Sequence, residues 1–381
     1  MTQPLRVDEL LAAARAKAGS DEFGDEWFLE PLCALVTSLN DEARLSELGL
    51  AMTRRRLTAL LVDRLRLRAL QRRHPEILDV EVDLAAEICG LPRTGSTLMH
   101  RLLAASPRLT STLSWETAYP IPFPGEAPDA PERKRRAQER TRMFLELSPD
   151  FGDIHTIEWD GPEEDVILVD RSFASMSFES FYWVPGYGDW MRTADQARAY
   201  RELREWLQVL RWQDPARAGR RWVLKSPHHL TAVATVLDTF PDCKIVMTHR
   251  DPVKAVPSYA SMVRTICAQY SESVDAAAIG RYWSERFAHA LRDFASVRAA
   301  RPERFVDVRY DALVADPAAQ AGRVLDALGL PPNADDEAAF ADYLVRNGAQ
   351  SRSAHHYTTA DFGLSEQRLE RDFAFYTEVY L

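Results

Sequence analysis

No run of the 381-residue chain is apolar for the ~20 consecutive residues that a membrane-crossing helix needs, so a spanning protein is excluded. Its start, Met1-Thr2-Gln3-Pro4, lacks a basic segment followed by an apolar one, so no secretory leader is read there and the expected compartment is the cytoplasm. Cysteine is scarce. Cys33, Cys89, Cys243 and Cys267 are far apart, with no CxxC and no Cys/His spacing that suits a metal. A disulfide framework and a zinc module are therefore excluded, and the thiols are read as reduced. Positive charge is in deficit, with 47 Lys and Arg against 57 Asp and Glu and a formal net charge of -10. That balance argues against broad binding of nucleic acid or anionic membranes, so the basic residues that matter must act locally. No fixed-period repeat is present, which removes solenoids and propellers.

One further absence is more specific. Gly90 and Gly95 have the spacing of a Walker A loop, but Ser96 stands where the Walker lysine should follow. The cation sits inside the loop instead, at Arg93. An apolar run, Leu84 to Cys89, leads into this loop, and a helical pattern, Leu98-Met99-His100-Arg101-Leu102-Leu103, leaves it. Strand, tight loop and helix N-terminus together present free backbone N–H groups and a helix dipole to an anion.

The rest of the chain alternates strands with helices. Short strands are expected at Trp222-Val223-Leu224, Lys244–Thr248 and Phe305–Val308, and helices at 131–147, 197–213, 253–270, 281–298 and from Asp316-Pro317 to near Gly329. Ahead of the first strand the pattern is helical: 5–20, 25–40 and an Arg-rich stretch over 42–73. Its apolar stripe, Leu57, Leu60, Leu61 and Leu65, makes the arginines the solvated or paired face of a buried helix rather than a nucleic-acid surface. The fold class is α/β: a P-loop-like three-layer fold with a central, mostly parallel sheet. Residues 1–80 form a helical N-terminal extension, and 81–381 form the main domain. In such sheets ligands bind at the carboxyl ends of strands. Three strand ends carry cations or hydroxyls: Arg93 with Thr94, Ser96 and Thr97; Lys225 with Ser226; and Arg250, with Ser258 eight residues on. Residues 173–191 are dense in aromatics (Phe173, Phe178, Phe181, Tyr182, Trp183, Tyr187, Trp190), which suits either core or the wall of an apolar pocket.

These motifs resemble those of the PAPS-dependent sulfotransferases (PAPS is 3′-phosphoadenosine 5′-phosphosulfate), most closely a bacterial branch with a helical N-terminal extension. The run Gly90-Leu91-Pro92-Arg93-Thr94-Gly95-Ser96-Thr97-Leu98 is similar to that family's loop for the 5′-phosphosulfate. Val246-Met247-Thr248-His249-Arg250-Asp251-Pro252 with Ser258 resembles its 3′-phosphate motif. Tyr310-Asp311-Ala312-Leu313 resembles a segment near the adenine. The stretches Phe23–Leu45 and His356–Leu364 also look like that branch, so the resemblance covers most of the chain.

The resemblance implies sulfuryl transfer from PAPS to an acceptor hydroxyl, with PAP (adenosine 3′,5′-bisphosphate) as product and no metal. Arg93 would stabilise the bridging oxygen of the leaving group, and Thr94, Gly95, Ser96, Thr97, Lys225, Arg250, Ser258 and Tyr310 would hold the donor. A general base is expected. Glu116, in Trp115-Glu116-Thr117, resembles the catalytic Glu of tyrosylprotein-type members, with His155, Glu163 and Glu164 as rivals. The partner is a small-molecule or lipid-like acceptor, not a nucleic acid; the aromatic stretch suits an apolar alcohol. Acceptor identity and oligomeric state do not follow from the sequence. Two other functions stay open: a P-loop nucleotide kinase or NTPase, which has no use for the Arg250–Ser258 motif, and a non-catalytic PAP-binding protein.

Overall fold

The computed structural model describes residues 3–127, 130–147, 158–347 and 358–381. Among them five strands form one sheet: β1 (Leu84–Gly90), β2 (Leu109–Thr110), β3 (Arg221–Lys225), β4 (Lys244–His249) and β5 (Phe305–Arg309). Every pairing is parallel, in the order β2-β3-β1-β4-β5. β1 is buried along its whole length, Glu87 included, as a central strand of a sheet covered on both faces should be. The register sets Ile88 beside Lys225 and Gly90 beside Thr248. β1 is thus the centre, and its carboxyl end lies between those of β3 and β4. The chain leaves β1 toward β2 on one side and later crosses to β4 on the other. This reversal opens a crevice at the strand ends.

Three helices precede the sheet: α1 (Val7–Ala18), α2 (Leu29–Asp41) and α3 (Glu47–Arg73). Ser46 caps α3 by accepting from the Gly49 N–H at 3.0 Å, and its own N–H donates to the Tyr270 carbonyl at 2.8 Å. The apolar sides of these helices share one cluster with Leu84, Cys89, Leu224 and Ile245 of the strands. Hydrophobic burial, which scales with the apolar area removed from water, therefore joins residues 5–77 to the sheet. The arginines of α3 are mostly paired: Arg54 with Glu9, Arg56 with Asp170, buried Arg64 with Glu202, Arg68 with Glu202 and Glu205, and Arg72 with Glu22.

The opposite face of the sheet is covered by α4 (Ser96–Ala105) and the helices Pro317–Ala327 and Ala334–Asn347. Ile88, Met99, Leu102, Val246, Val306, Leu325 and Phe340 fill that layer. The aromatic stretch is chiefly core. Phe173, Phe178, Tyr182 and Tyr187 are fully buried, and Phe178 meets Phe173 stacked at 6.4 Å and Tyr187 edge-on at 6.1 Å. Phe181, Trp183 and Trp190 remain half-buried. Among the described residues no helix is long and apolar enough to cross a membrane.

Candidate active site

The loop between β1 and α4 is held from below and from the side. The Thr94 hydroxyl donates to the Leu91 carbonyl and contacts the Thr248 hydroxyl, both at 2.6 Å. Thr248 in turn donates to the Cys89 carbonyl at 3.1 Å. Thr94 is fully buried, so its side chain ties the loop to β4 rather than facing a ligand. Arg93 adopts φ +69°, a left-handed conformation that costs a non-glycine residue energy and persists only where its surroundings enforce it. Gly95, at φ +86°, packs so closely that an added Cβ would lie 2.9 Å from Leu313 Cδ2 and 3.3 Å from the Tyr310 ring. Ser96 and Thr97 open α4, where unpaired N–H groups and the positive end of the dipole collect.

The second motif meets the first here. Arg250 Nη1 donates to the Arg93 carbonyl at 2.6 Å, and its guanidinium lies 4.1 Å above the Tyr310 ring. Arg250 leaves the end of β4, and Tyr310 starts the turn after β5. Residues 157 positions apart are thus bonded, and Gly95, Arg250 and Tyr310 share one edge of the sheet. Ser258 is half-buried on the helix Pro252–Cys267, which Asp251 caps by accepting from the Val253 N–H at 2.9 Å.

Lys225 closes the other side at the end of β3. It is 3% exposed and pairs with Glu164 at 2.5 Å. Burial alone would raise the Glu164 carboxyl, but the Lys225 ammonium and the contact with His228 outweigh it and hold the group well below the usual carboxylate range. Glu164 also accepts from the Ser226 hydroxyl at 2.9 Å, and Ser226 meets His228 Nδ1 at 3.0 Å. His228 Nε2 faces the Ser180 hydroxyl at 3.0 Å, and Ser180 faces the Tyr259 hydroxyl at 2.6 Å. No motif in the sequence singles out His228. The signal available was its position three residues beyond Lys225 at a strand end.

The structure does not bring Glu116 into this group as a free carboxylate. Glu116 is 3% exposed, and both of its oxygens accept from Arg217 Nη2 at 2.8 Å. One also accepts from the Leu113 N–H at 2.9 Å, closing the turn before the helix Ser114–Ala118. Its lone pairs are committed to a buried ion pair. Glu163 accepts from the Glu164 N–H at 2.8 Å, and its backbone is bound to Thr112. His155 lies outside the described residues.

The family model described as "Sulfotransferase family" matches residues 87–336. The crystal structure of sulfotransferase STF1 from Mycobacterium tuberculosis H37Rv is similar, with TM-score 0.86 and 30% identity over 97% of this chain and 99% of that one. Sulfotransferase STF9 from Mycobacterium avium gives TM-score 0.88 at 25% identity, over 100% of this chain and 98% of that one. The omega-hydroxy-beta-dihydromenaquinone-9 sulfotransferase Stf3 of Mycobacterium bovis is 25% identical over 263 residues, 64% of this chain. The chain spans 62% of the length of that relative. With the loop, the Arg250 contact and the parallel sheet already in place, these matches establish that the chain belongs to the sulfotransferase family.

Proposed function

We propose that this protein is a PAPS-dependent enzyme that transfers a sulfuryl group to the hydroxyl of an apolar or lipid-like alcohol. The observation that carries the reading is the meeting of Arg250 and Tyr310 with the Arg93–Gly95 loop, beside Lys225 on the neighbouring strand. Cations from three strand ends suit a donor with negative charge at two places, a phosphosulfate and a 3′-phosphate. Arg93, the α4 N-terminus, Ser96 and Thr97 would hold the first, and Arg250 with Ser258 the second. Tyr310 would lie against the adenine. When bound, PAPS supplies an activated sulfuryl group with a phosphate as leaving group.

The chain's residues account for the remaining requirements. Arg93 stays charged and can stabilise the bridging oxygen as its bond to sulfur breaks. Lys225, at the end of the neighbouring strand, would stabilise charge on the transferred sulfuryl group. The acceptor oxygen forms the new bond to sulfur, and its proton needs a base. His228 supports that role better than Glu116 does. An ionised carboxylate only accepts, so the Ser226 hydroxyl donates to Glu164 and accepts from His228 Nδ1–H. This leaves Nε2 as an acceptor, bonded to the Ser180 hydroxyl. Histidine is the side chain suited to taking a proton near neutrality. The acceptor class rests on the half-buried aromatics Phe181 and Trp183 and on the name of the Stf3 relative, whose substrate is a hydroxylated menaquinone. A cytoplasmic location accords with this donor.

The test is a thermal shift with PAP against ADP. PAP is expected to raise Tm at micromolar concentration and ADP much less, because only PAP carries the 3′-phosphate. Equal shifts would overturn the 3′-phosphate assignment. Arg250→Ala removes a charge-assisted contact worth about 1.5–3 kcal/mol, so PAP affinity should fall roughly 10- to 100-fold. Labelled PAPS incubated with a cell extract, followed by mass spectrometry of the product, identifies the acceptor.

A further inference from the structure

Beneath the Lys225–Glu164 pair lies a second, fully buried layer that the reaction scheme does not use. Glu164 is followed by Asp165, and Lys225-Ser226 by His228-His229, so each acidic residue meets its own partner across the same corner. Asp165 Oδ2 lies 2.9 Å from His229 Nε2, and His229 Nδ1 lies 2.6 Å from the Tyr200 hydroxyl. Glu87, in the middle of β1, accepts from the Ser226 N–H at 3.1 Å and comes within 3.9 Å of His229 Nε2. Glu87, Asp165, His229 and Tyr200 are each at most 3% exposed. The Asp165 segment is fixed upstream as well. Ser114 N–H donates to the Gly161 carbonyl and Glu163 N–H to the Thr112 carbonyl, both at 2.9 Å. The ladder so formed joins the segment to the stretch that follows α4.

A carboxylate buried to this degree is costly unless it is paired. Asp165 meets that demand through His229, whose Nε2–H donates to it. Burial, and then the neighbouring Asp165 charge, pushes the Glu87 carboxyl well above the usual carboxylate range. The layer contains no exposed group, and within it Asp165 Oδ1 has no hydrogen-bond partner among the described residues. Its geometric effect is on the residues directly above. Lysine has a long flexible stem, and only a fixed anion keeps its ammonium at one point. Glu164 is that anion, paired with Lys225 and followed directly in the chain by Asp165.

We propose that Asp165 and His229 are positioning residues: their buried contact locks the Glu163–Asp165 segment against the corner after β3 and so sets where the Lys225 ammonium stands beside the donor loop. The proposal rests on the sulfuryl-transfer reading. A misplacement of about 1 Å at a reacting centre lowers rate on the order of 100-fold, so turnover should be sensitive to this layer while donor binding is not.

The test compares Asp165→Ala, His229→Ala and His229→Gln with the wild type. Glutamine reaches about as far as Nε2 and can still donate to Asp165. For the two alanine variants, kcat should fall roughly 10- to 100-fold with KM for PAPS and the PAP-induced Tm shift unchanged, and His229→Gln should recover most of the loss. A second readout needs no turnover. Acetic anhydride labelling of Lys225, followed by mass spectrometry, should be slow in the wild type and in His229→Gln and several-fold faster in the alanine variants. A drop in Tm with kcat per folded molecule and Lys225 protection both unchanged would reduce the layer to structure and overturn the proposal. Stoichiometric metal in the purified protein, lost on His229→Ala, would also overturn it, since Glu87, Asp165 and His229 would then be ligands. If the wild type shows neither a PAP shift nor label transfer, the sulfotransferase reading fails and the proposal fails with it. Loss of turnover in the variants alone tests the positioning role.

Discussion

Acidification should weaken this fold through one imidazole on the helix that carries the donor loop. His100 lies on α4 and is fully buried, with Nε2 at 2.6 Å from the Ser111 hydroxyl. Nδ1 has no hydrogen-bond partner among the described residues. Burial, and then the charges of Lys225 and Arg101, lowers its pKa from 6.5 to about 3. A depressed native pKa stabilises the fold above the unfolded pKa, and that stability is lost as pH falls through 6.5 toward 3. The native imidazole stays neutral at pH 5 while the unfolded one is almost fully charged. Protonation of the unfolded chain then costs about 2 kcal/mol of stability at pH 5 and only about 0.2 kcal/mol at pH 7. Any native value below roughly 4 gives the same figure, so the expectation does not depend on how deep the depression is. Other groups titrate over this range, which makes the informative quantity a double difference. His100→Gln keeps a polar group near Ser111 and cannot titrate. Urea unfolding of both proteins at pH 7 and pH 5 should show the wild type losing about 2 kcal/mol more than the variant. Parallel losses, within about 0.5 kcal/mol, would refute the reasoning. They would mean that the native imidazole already accepts a proton near its ordinary pKa.

Other substitutions separate structural from chemical roles. Glu116→Gln removes the charge opposite buried Arg217 and should destabilise the fold by about 3 kcal/mol in urea titrations, with turnover per folded molecule retained. Loss of turnover at unchanged stability would return the base role to Glu116. His228→Gln should lower kcat roughly 10²- to 10⁴-fold while the PAP-induced Tm shift persists; unchanged kcat would remove His228 from the chemistry. Gly49→Ala would set a Cβ 1.8 Å from the Tyr270 carbonyl oxygen, so α3 should move away and thermal stability should fall by up to about 3 kcal/mol. An unaltered Tm would show that the N-terminal helices do not support the fold.

The strands were legible where they were long and apolar. Leu84–Cys89 and Lys244–Thr248 read as buried strands because a parallel sheet covered on both faces needs continuous apolar runs, and the structure extends each by one residue. β2 was not legible. It has two residues, Leu109 and Thr110, and is a strand only because it pairs with Arg221 and Trp222. No local pattern can announce a partner more than 100 residues away. The donor-loop motif could be found for the opposite reason. Its geometry is local, and it rests on Gly95 at positive φ, on Arg93 in the loop and on hydroxyls at the helix start. What sequence could not assign is which way each hydroxyl points. Thr94 and Ser96 look equivalent in the string, yet Thr94 is bonded inward to Leu91 and Thr248.

The choice of base turned on the same limit. Glu116, Glu163 and Glu164 are equally good carboxylates in a sequence, because a carboxylate's chemistry depends on what occupies its lone pairs. Arg217, 101 residues away, takes both oxygens of Glu116. Lys225, 61 residues away, takes Glu164. The His228-His229 pair lies between these networks, and its two members have different environments. His229 is 2% exposed at the side chain and bonded to Asp165, while His228 is 13% exposed and bonded to Ser226 and Ser180.

The missing Walker lysine then has a physical explanation beyond a change of ligand. In a Walker loop one lysine follows the last glycine at the start of the helix. Here the cations come from the ends of β1, β3 and β4, and protein partners hold them. Arg250 is bonded to the Arg93 carbonyl, and Lys225 is bonded to Glu164. The loop itself is tied to β4 through Thr94 and Thr248. Donors held in place before the ligand arrives need little reorganisation as charge develops, which is where electrostatic stabilisation gains most of its effect. A sulfuryl group brings less negative charge than a terminal phosphate. On the proposed reading, cations fixed by the sheet would take the place of the metal ion that a triphosphate site uses, provided their positions are set as tightly as a metal's ligands would be. The buried Lys225–Glu164 pair and the Arg250 contact with the Arg93 carbonyl are the contacts that would meet that condition.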